Sequence, residues 1–320
     1  MNFQKTQPVE KGSFYLDVAV QRAKKQVNAL TIRIKDEDKK ALIKEKTRIK
    51  VIKDTLIKSF INIINSFPGL DGLPEFYYEL CKSTMDVDEV KKALSVISWA
   101  PGKISELERE FIRQTRGKTK EDIIKARRAF IGRISSIIKR MDKKLELIEQ
   151  TRRTMITYPD IKDDLFTVCI SGFPNVGKST LLSRITTSKP EIGNYSFTTT
   201  TLNTGYFKDG FEKIQIIDVP GTLNRFEKMN NVEKQAHLAL KYLANLIVYV
   251  YDLTEPYSLK EQDALFEETK KLGKPILIYV SKADLLGKQK IKEFIKNNEI
   301  KNANYDSEEL RKEITKQRRK

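Results

Sequence analysis

Two cysteines, one histidine and one tryptophan among 320 residues close off several chemistries before any motif is read. Cys81 and Cys169 lie far apart, and Cys169 sits inside a strand-like apolar run, so neither a disulfide framework nor a cysteine metal cluster is indicated. A lone His237 cannot supply a histidine ligand set. The longest apolar runs, "IVYVY" and "ILIYV", fall far short of a bilayer span, and "MNFQKTQPVEKG" lacks the apolar core of a secretion signal. These absences point to a soluble intracellular chain with no membrane insertion, a cytoplasmic one by default. Length and a 39% hydrophobic content provide for two globular domains.

Acidic residues are outnumbered. The formal charge is +17, with 35 Lys+Arg against 24 Asp+Glu in residues 1–164 and 25 against 19 in residues 165–320. An excess of that size attracts polyanions, nucleic acid first and an anionic membrane surface second. A lysine-rich composition inherited from an AT-rich genome would look the same, so charge alone does not choose a partner.

Residues 1–155 read as a basic helical bundle. Basic and aliphatic residues alternate at helical spacing from Asp36 to about Phe67, ending at the turn "PGLDGLP". "APGK" reads as a breaker, with a helix over 104–116 after it and Thr119 as the N-cap of the next. That next helix carries Ile131, Ile134, Ile138, Met141, Leu145 and Ile148 on one seam. Its other side carries Lys125, Arg128, Lys139 and Lys143, which reads either as a solvated face or as one turned to RNA. Trp99, alone among aliphatics in "ALSVISWAPG", is expected in the core. Residues 156–164 read as a linker, and from residue 165 to 320 short β-branched runs alternate with helical stretches. That pattern predicts an α/β domain with a doubly wound, mostly parallel sheet.

Four motifs follow in order along this second half. "GFPNVGKST" carries Gly172, Gly177, Lys178 and Ser179 at phosphate-loop spacing, directly after a strand and opening a helix. Backbone N–H groups there can cradle a β-phosphate, Lys178 can bridge the β- and γ-phosphates, and Ser179 can ligate Mg²⁺. "YSFTTTT" supplies threonine hydroxyls. "IIDVPG" places Asp218 within reach of the metal shell and the Gly221 amide near a γ-phosphate. "SKAD", Ser281 to Asp284, ends another strand, and its carboxylate can accept the guanine N1 and N2 hydrogens that adenine cannot donate. The order predicts a P-loop domain binding GTP and GDP with Mg²⁺.

The set GFPNVGKS, YSFTTTT, DVPG and SKAD resembles the Obg–HflX branch of translation-factor-related GTPases. The block "NNVEKQAHLALKYLANLIVYVYDLTEPYSLKEQDALFEE" is similar to the Nog family, nucleolar GTP-binding proteins and their archaeal relatives. The resemblance spans nearly the whole chain and implies GTP hydrolysis during assembly of the large ribosomal subunit. By the same resemblance the helical domain would contact ribosomal RNA and precursor particles, the chain would be a monomer when free, and a eukaryotic member would be nucleolar. Residue by residue, it implies nucleotide contacts from Asn175, Val176, Gly177, Lys178, Ser179, Thr180, Asp218, Gly221, Ser281, Lys282 and Asp284. Ser179, Thr199 and Asp218 would hold the metal, with Thr198 the alternative to Thr199. Lys178, Thr199 and Gly221 would stabilise the reacting phosphate. Asn175 resembles the asparagine that coordinates K⁺ in cation-activated GTPases, or it braces the loop.

Three departures qualify that resemblance. Thr222 stands where Ras-like enzymes place the glutamine that orients water, so intrinsic hydrolysis should be slow. Ser281 replaces the asparagine of N-K-x-D and with it contacts to the base and phosphate loop. The fifth guanine motif is not recognisable in "NNEIKNANYDSEEL", where Ala303 is a stand-in. An alternative reading is an RNA-binding placeholder gated by nucleotide, with hydrolysis incidental; a P-loop ATPase or kinase is disfavoured by Asp284. His237 lies in "EKQAHLALKYL" without a nearby orienting partner in sequence and reads as a packed or surface histidine.

Overall fold

In the computed structural model, residues 3, 6–186, 202–221, 231–254, 257–286, 288–297 and 303–319 are described. Contacts divide the chain into two compact units. One is built from the chain up to Gly72 together with Met85–Ile156, and the other from Leu73–Thr84 together with Thr157 onward.

The first unit packs α1 (Gly12–Asn28), α2 (Glu37–Ser66), α4 (Val87–Thr115) and α5 (Lys120–Met155). Helix starts are sequence-coded. Asp36 accepts from the N–H groups of Asp38 and Lys39, Asp86 from Glu89, and Thr119 from Asp122, each satisfying amides that an α-helix leaves open. The buried seam of α5 runs Ile123, Phe130, Ile134, Ile138, Met141, Leu145, Ile148. Phe130, against Phe111 of α4, replaces the expected Ile131, which is only half-buried.

Two expectations fail on α4. "APGK" does not break the helix: Pro101 lies inside it, because Ile97, Ala100 and Ile104 continue one buried seam across the proline. The proline removes one backbone bond, and the packing on both sides outweighs the loss. Trp99 is 55% exposed rather than core, since it falls two residues beyond Ile97 and off the seam. Aliphatic neighbours in sequence are not neighbours across a helix.

Acidic residues on α5 anchor the chain start. Val9 N–H donates to Glu149 at 2.9 Å and Gly12 N–H to Asp142 at 2.8 Å, while Arg152 and Arg153 also donate to Glu149.

In the second unit, α3 (Glu75–Thr84) packs on α7 (Asn231–Leu238) and on the π-helical turn Ala239–Leu243 that follows it. Residues 73–84, counted above with the helical half, thus belong here. The reason is local: the Tyr77 hydroxyl accepts from Ile161 N–H at 2.9 Å and donates to Pro159 C=O at 2.8 Å, and Thr84 meets the Tyr158 hydroxyl at 2.5 Å. The segment read as a linker is accordingly stitched down, with Gln215 bonding both backbone groups of Lys162.

The six strands among the described residues are β1 (Phe166–Ser171), β2 (Asn203–Asp209), β3 (Glu212–Asp218), β4 (Leu246–Asp252), β5 (Ile276–Ser281) and β6 (Ala303–Asn304). They form one sheet in the order β2-β3-β1-β4-β5-β6, antiparallel only between β2 and β3. Helices α6 (Lys178–Ile185), α8 (Leu259–Lys270), α9 (Lys288–Asn297) and α10 (Ser307–Arg318) complete the unit. The core divides over two faces, with Val168, Ile170, Val248, Leu182 and Ile314 in one cluster and Tyr249, Tyr251, Val280 and Phe294 in the other. That is the doubly wound α/β arrangement the alternating pattern predicts. No helix among the described residues is long and apolar enough to cross a membrane.

Glu149 yields a test of the first unit. The Arg152 hydrogen bond holds its carboxyl down at about 2 against the opposing effect of burial, helped by Val9 N–H and Arg153. A carboxyl whose folded pKa is depressed stabilises above its ordinary 4.5 and loses that contribution as pH falls towards 2. Glu149→Gln should therefore lower stability at pH 7 by about 1–2 kcal/mol. In urea unfolding, the gap between variant and wild type should narrow steadily from pH 4.5 to pH 2.

Candidate functional site

Every motif residue that the structure describes sits at the carboxyl ends of the parallel strands, the edge where open α/β sheets bind ligands. Residues 172–177 leave β1 and turn into α6, whose N-cap is Gly177. The turn is tight. Gly172 has φ 145°, a backbone that L side chains rarely adopt, and a Cβ there would stand 2.7 Å from the Val250 carbonyl oxygen. Asn175 is exposed with φ 61°, a left-handed conformation that asparagine tolerates better than most. Val176 is fully buried and packs into the core cluster beneath the loop. Thr180 lies exposed in the first turn of α6.

Lys178 is 7% exposed, and its ammonium donates to the carbonyls of Gly172 at 3.0 Å and Phe173 at 2.6 Å. Burial pushes its pKa down to about 8, partly opposed by the negative charge of Asp218. Burial likewise raises Asp218, against the pull of Ser179, Lys178 and Asn203. Ser179 Oγ donates to Asp218 Oδ2 at 2.5 Å, whereas Asp218 Oδ1 is buried with no hydrogen-bond partner. An orphaned carboxylate oxygen beside a serine hydroxyl is a hard oxygen donor set suited to Mg²⁺. The register Ile170↔Asp218 sets this pair together, one strand apart.

Gly221 passes against the loop. A Cβ on it would meet Pro174 N at 2.6 Å and the Gly172 carbonyl at 2.8 Å, so a side chain has no room. Thr199, Thr198 and Thr222 lie outside the described residues.

At the far end of the edge, Ser281 is buried and donates to Tyr251 C=O at 3.0 Å, and a Cβ on Gly177 would lie 3.6 Å from its Cβ. Lys282 has φ 52°, and Asp284 is exposed beyond it. Ala303 pairs with Ile278 in β6, with Tyr305 and Asp306 next in the chain. His237 is half-buried on α7, and burial together with Lys241 lowers its pKa.

One residue escaped the sequence reading. Asp252, at the end of β4, is fully buried, and its Oδ2 meets the Lys282 ammonium at 2.5 Å. The only signal was an acid closing the apolar run "LIVYVYD".

The Lys178 environment generates a prediction. Bound phosphate would favour the ammonium form and raise its pKa, so above pH 8 binding must take up a proton. Affinity for GDP should fall as pH rises through about 8, by up to roughly tenfold per unit. Calorimetry at pH 8 in buffers of different ionisation enthalpy should show uptake of about half a proton. Lys178→Met should abolish it.

Comparisons with known proteins bear on the family of the chain. Residues 3–162 match the NOG1 N-terminal helical domain, and residues 167–282 match a family described as 50S ribosome-binding GTPase. An uncharacterized protein of Methanocaldococcus jannaschii is 36% identical over 258 residues, covering 79% of this chain and 72% of that one. Nucleolar GTP-binding protein 1 of Saccharomyces cerevisiae is 30% identical over 75% of this chain, and that of Drosophila melanogaster 34% over 70%. The chain spans only 38% and 35% of those two proteins. Among solved structures, the G domain of the T. maritima FeoB iron transporter is 26% identical with a TM-score of 0.40, covering 48% of this chain and 98% of that one. With the helical domain and the GTPase domain both matched, in that order and over nearly the whole sequence, the chain belongs to the Nog1 family of GTP-binding proteins and carries its GTPase domain.

Proposed function

We propose that this GTPase acts in assembly of the large ribosomal subunit, contacting ribosomal RNA through its basic helical unit. The observation that carries the RNA contact is the outer face of α5. Lys125, Arg128, Lys139 and Lys143 are all exposed there, and none has an ion-pair partner among the described residues. Several other cations of the unit are engaged in ion pairs, Lys53 with Glu108, Arg48 and Arg127 with Glu45, Lys144 with Glu89, and Arg133 with Glu110. Unpaired charge along one helix is free to release counterions on meeting phosphates. The relatives' nucleolar names and the ribosome-binding description of the matched family support the same partner. In an archaeal-type member this would take place in the cytoplasm.

The placement of the described site residues supports the following roles. Backbone N–H groups of Asn175 to Thr180 and the Lys178 ammonium hold the β- and γ-phosphates, with Lys178 exchanging its two carbonyl partners for phosphate oxygens. Ser179 and Asp218 would hold Mg²⁺, with Thr199 as a third contributor, and when bound the metal would supply neutralisation of phosphate charge. Gly221 offers its amide to the γ-phosphate, and Ser281, Lys282 and Asp284 receive the guanine. Asn175, exposed and already in a left-handed turn, holds K⁺ beside the phosphates, a positive charge where other GTPases use an arginine.

Two measurements test these readings. Titration of the full chain with ribosomal RNA at increasing KCl should give a steep log–log slope. Changing Lys125, Arg128, Lys139 and Lys143 together to glutamine should flatten that slope by about four contacts and leave GDP affinity as it was. An unchanged slope would assign that face to solvent. Separately, exchanging Na⁺ for K⁺ at constant ionic strength should raise GTP turnover, and Asn175→Ala should remove the difference. Equal rates in the two salts would exclude the K⁺ role.

A further inference from the structure

The turn Ser281–Asp284 lacks the anchor its motif ordinarily has. An asparagine in place of Ser281 would reach the phosphate loop, but the serine hydroxyl is spent on the Tyr251 carbonyl of the neighbouring strand. Lys282 nevertheless holds a left-handed backbone with φ 52°, which costs free energy for a non-glycine residue and persists only where surroundings over-determine it.

Those surroundings converge on Asp252. Its side chain is fully buried, and the Lys282 ammonium lies 2.5 Å from Oδ2 as an ion pair, an oxygen that accepts no hydrogen bond among the described residues. Oδ1 accepts from Thr254 N–H at 2.9 Å and from Thr254 Oγ at 2.6 Å. The backbone is gripped as well. Gln262 of α8, itself 1% exposed, accepts from Asp252 N–H at 3.0 Å and donates to Asp252 C=O at 2.9 Å and Tyr257 C=O at 3.1 Å. Burial alone would raise the carboxyl pKa; Lys282 and the two Thr254 bonds outweigh it and hold the group below its usual range. A carboxylate this constrained fixes the position of the cation it meets, and that cation lies two residues before Asp284.

We infer that Asp252 is a positioning residue for base recognition, its backbone gripped by Gln262 and its carboxylate by Thr254, holding Lys282 and with it the Ser281–Asp284 turn in the geometry that receives guanine. The inference rests on the reading that this turn contacts the base. The tie runs from β4 across to β5, strands already in register as Asp252↔Ser281, so it replaces an anchor to the phosphate loop with an anchor to the sheet.

Asp252→Asn in the full chain isolates the interaction, because the amide keeps an acceptor for Thr254 and presents N–H₂ instead of oxygen to the ammonium. GDP affinity, measured by calorimetry, should fall about tenfold, the scale of a lost charge-assisted hydrogen bond. Lys282→Met should cause a similar loss, and the double variant should bind no more weakly than Lys282→Met alone. Thr254→Val removes a hydroxyl that donates to the carboxylate at 2.6 Å and accepts from the Lys282 ammonium at 3.4 Å, and gives a second route should Asp252→Asn not fold. It should cost about threefold, again only when Lys282 is present. A loss of equal size in the Lys282→Met background would overturn the positioning role, since Asp252 would then act through its strand. So would wild-type GDP affinity in Asp252→Asn while Lys282→Met and Asp284→Asn bind weakly. Wild-type affinity in both Lys282→Met and Asp284→Asn is a different result: it would overturn the base reading itself and the positioning role with it.

Discussion

A buried ammonium and a buried carboxylate share one edge of the sheet, and much of the nucleotide unit is arranged to keep both satisfied. Lys178 finds its partners in the carbonyls of Gly172 and Phe173, so the chain leaving β1 must curl back over its own helix start. That curl needs a glycine at 172 and a left-handed residue at 175. Asp218 leans on Ser179 from the adjacent strand, which requires β1 and β3 to be parallel and in their observed register. Neither charge is fully compensated: the lysine pKa is lowered and one aspartate oxygen has no donor. Polar groups short of partners at this edge of the sheet are groups that a bound anion and cation can satisfy.

Legibility in the sequence followed how directly chemistry constrains residue type. The phosphate loop could be read because close backbone approach demands glycine, and the strand before it because β-branched residues alternate with helices around it. Asp252 could not, since a carboxylate at the end of an apolar strand is an ordinary strand terminus until its cation is located in space. Trp99 and Pro101 misled for a related reason: each was judged by its neighbours in sequence, when the period of α4 decides which neighbours exist in three dimensions. The turn proposed to read the base falls between these cases. Asp284 was legible in the SKAD motif, whereas the Lys282–Asp252 ion pair beside it, reaching across from β4, was not.

Net charge shows the same gap between composition and arrangement. A surplus of cations over residues 1–164 is compatible with a solvated surface or with a polyanion partner. The folded bundle sorts them. Several are drawn into ion pairs between helices, where they stabilise packing, and a row on α5 forms no ion pair among the described residues. Glu149 and Asp142, on the same helix, are occupied with backbone N–H groups of the chain start and do not neutralise that row.

The position of α3 bears on how such a chain can be divided. Polypeptide passes from the bundle into the nucleotide unit after Gly72, returns at Met85, and passes over again after Ile156. Phe76, Tyr77, Leu80 and Cys81, each at most 1% exposed, are therefore core residues of a unit whose other parts lie more than seventy residues further along. No single cut separates the two units: a fragment ending near residue 155 would carry off one helix of its neighbour with an apolar face uncovered, and the remainder would be missing a wall.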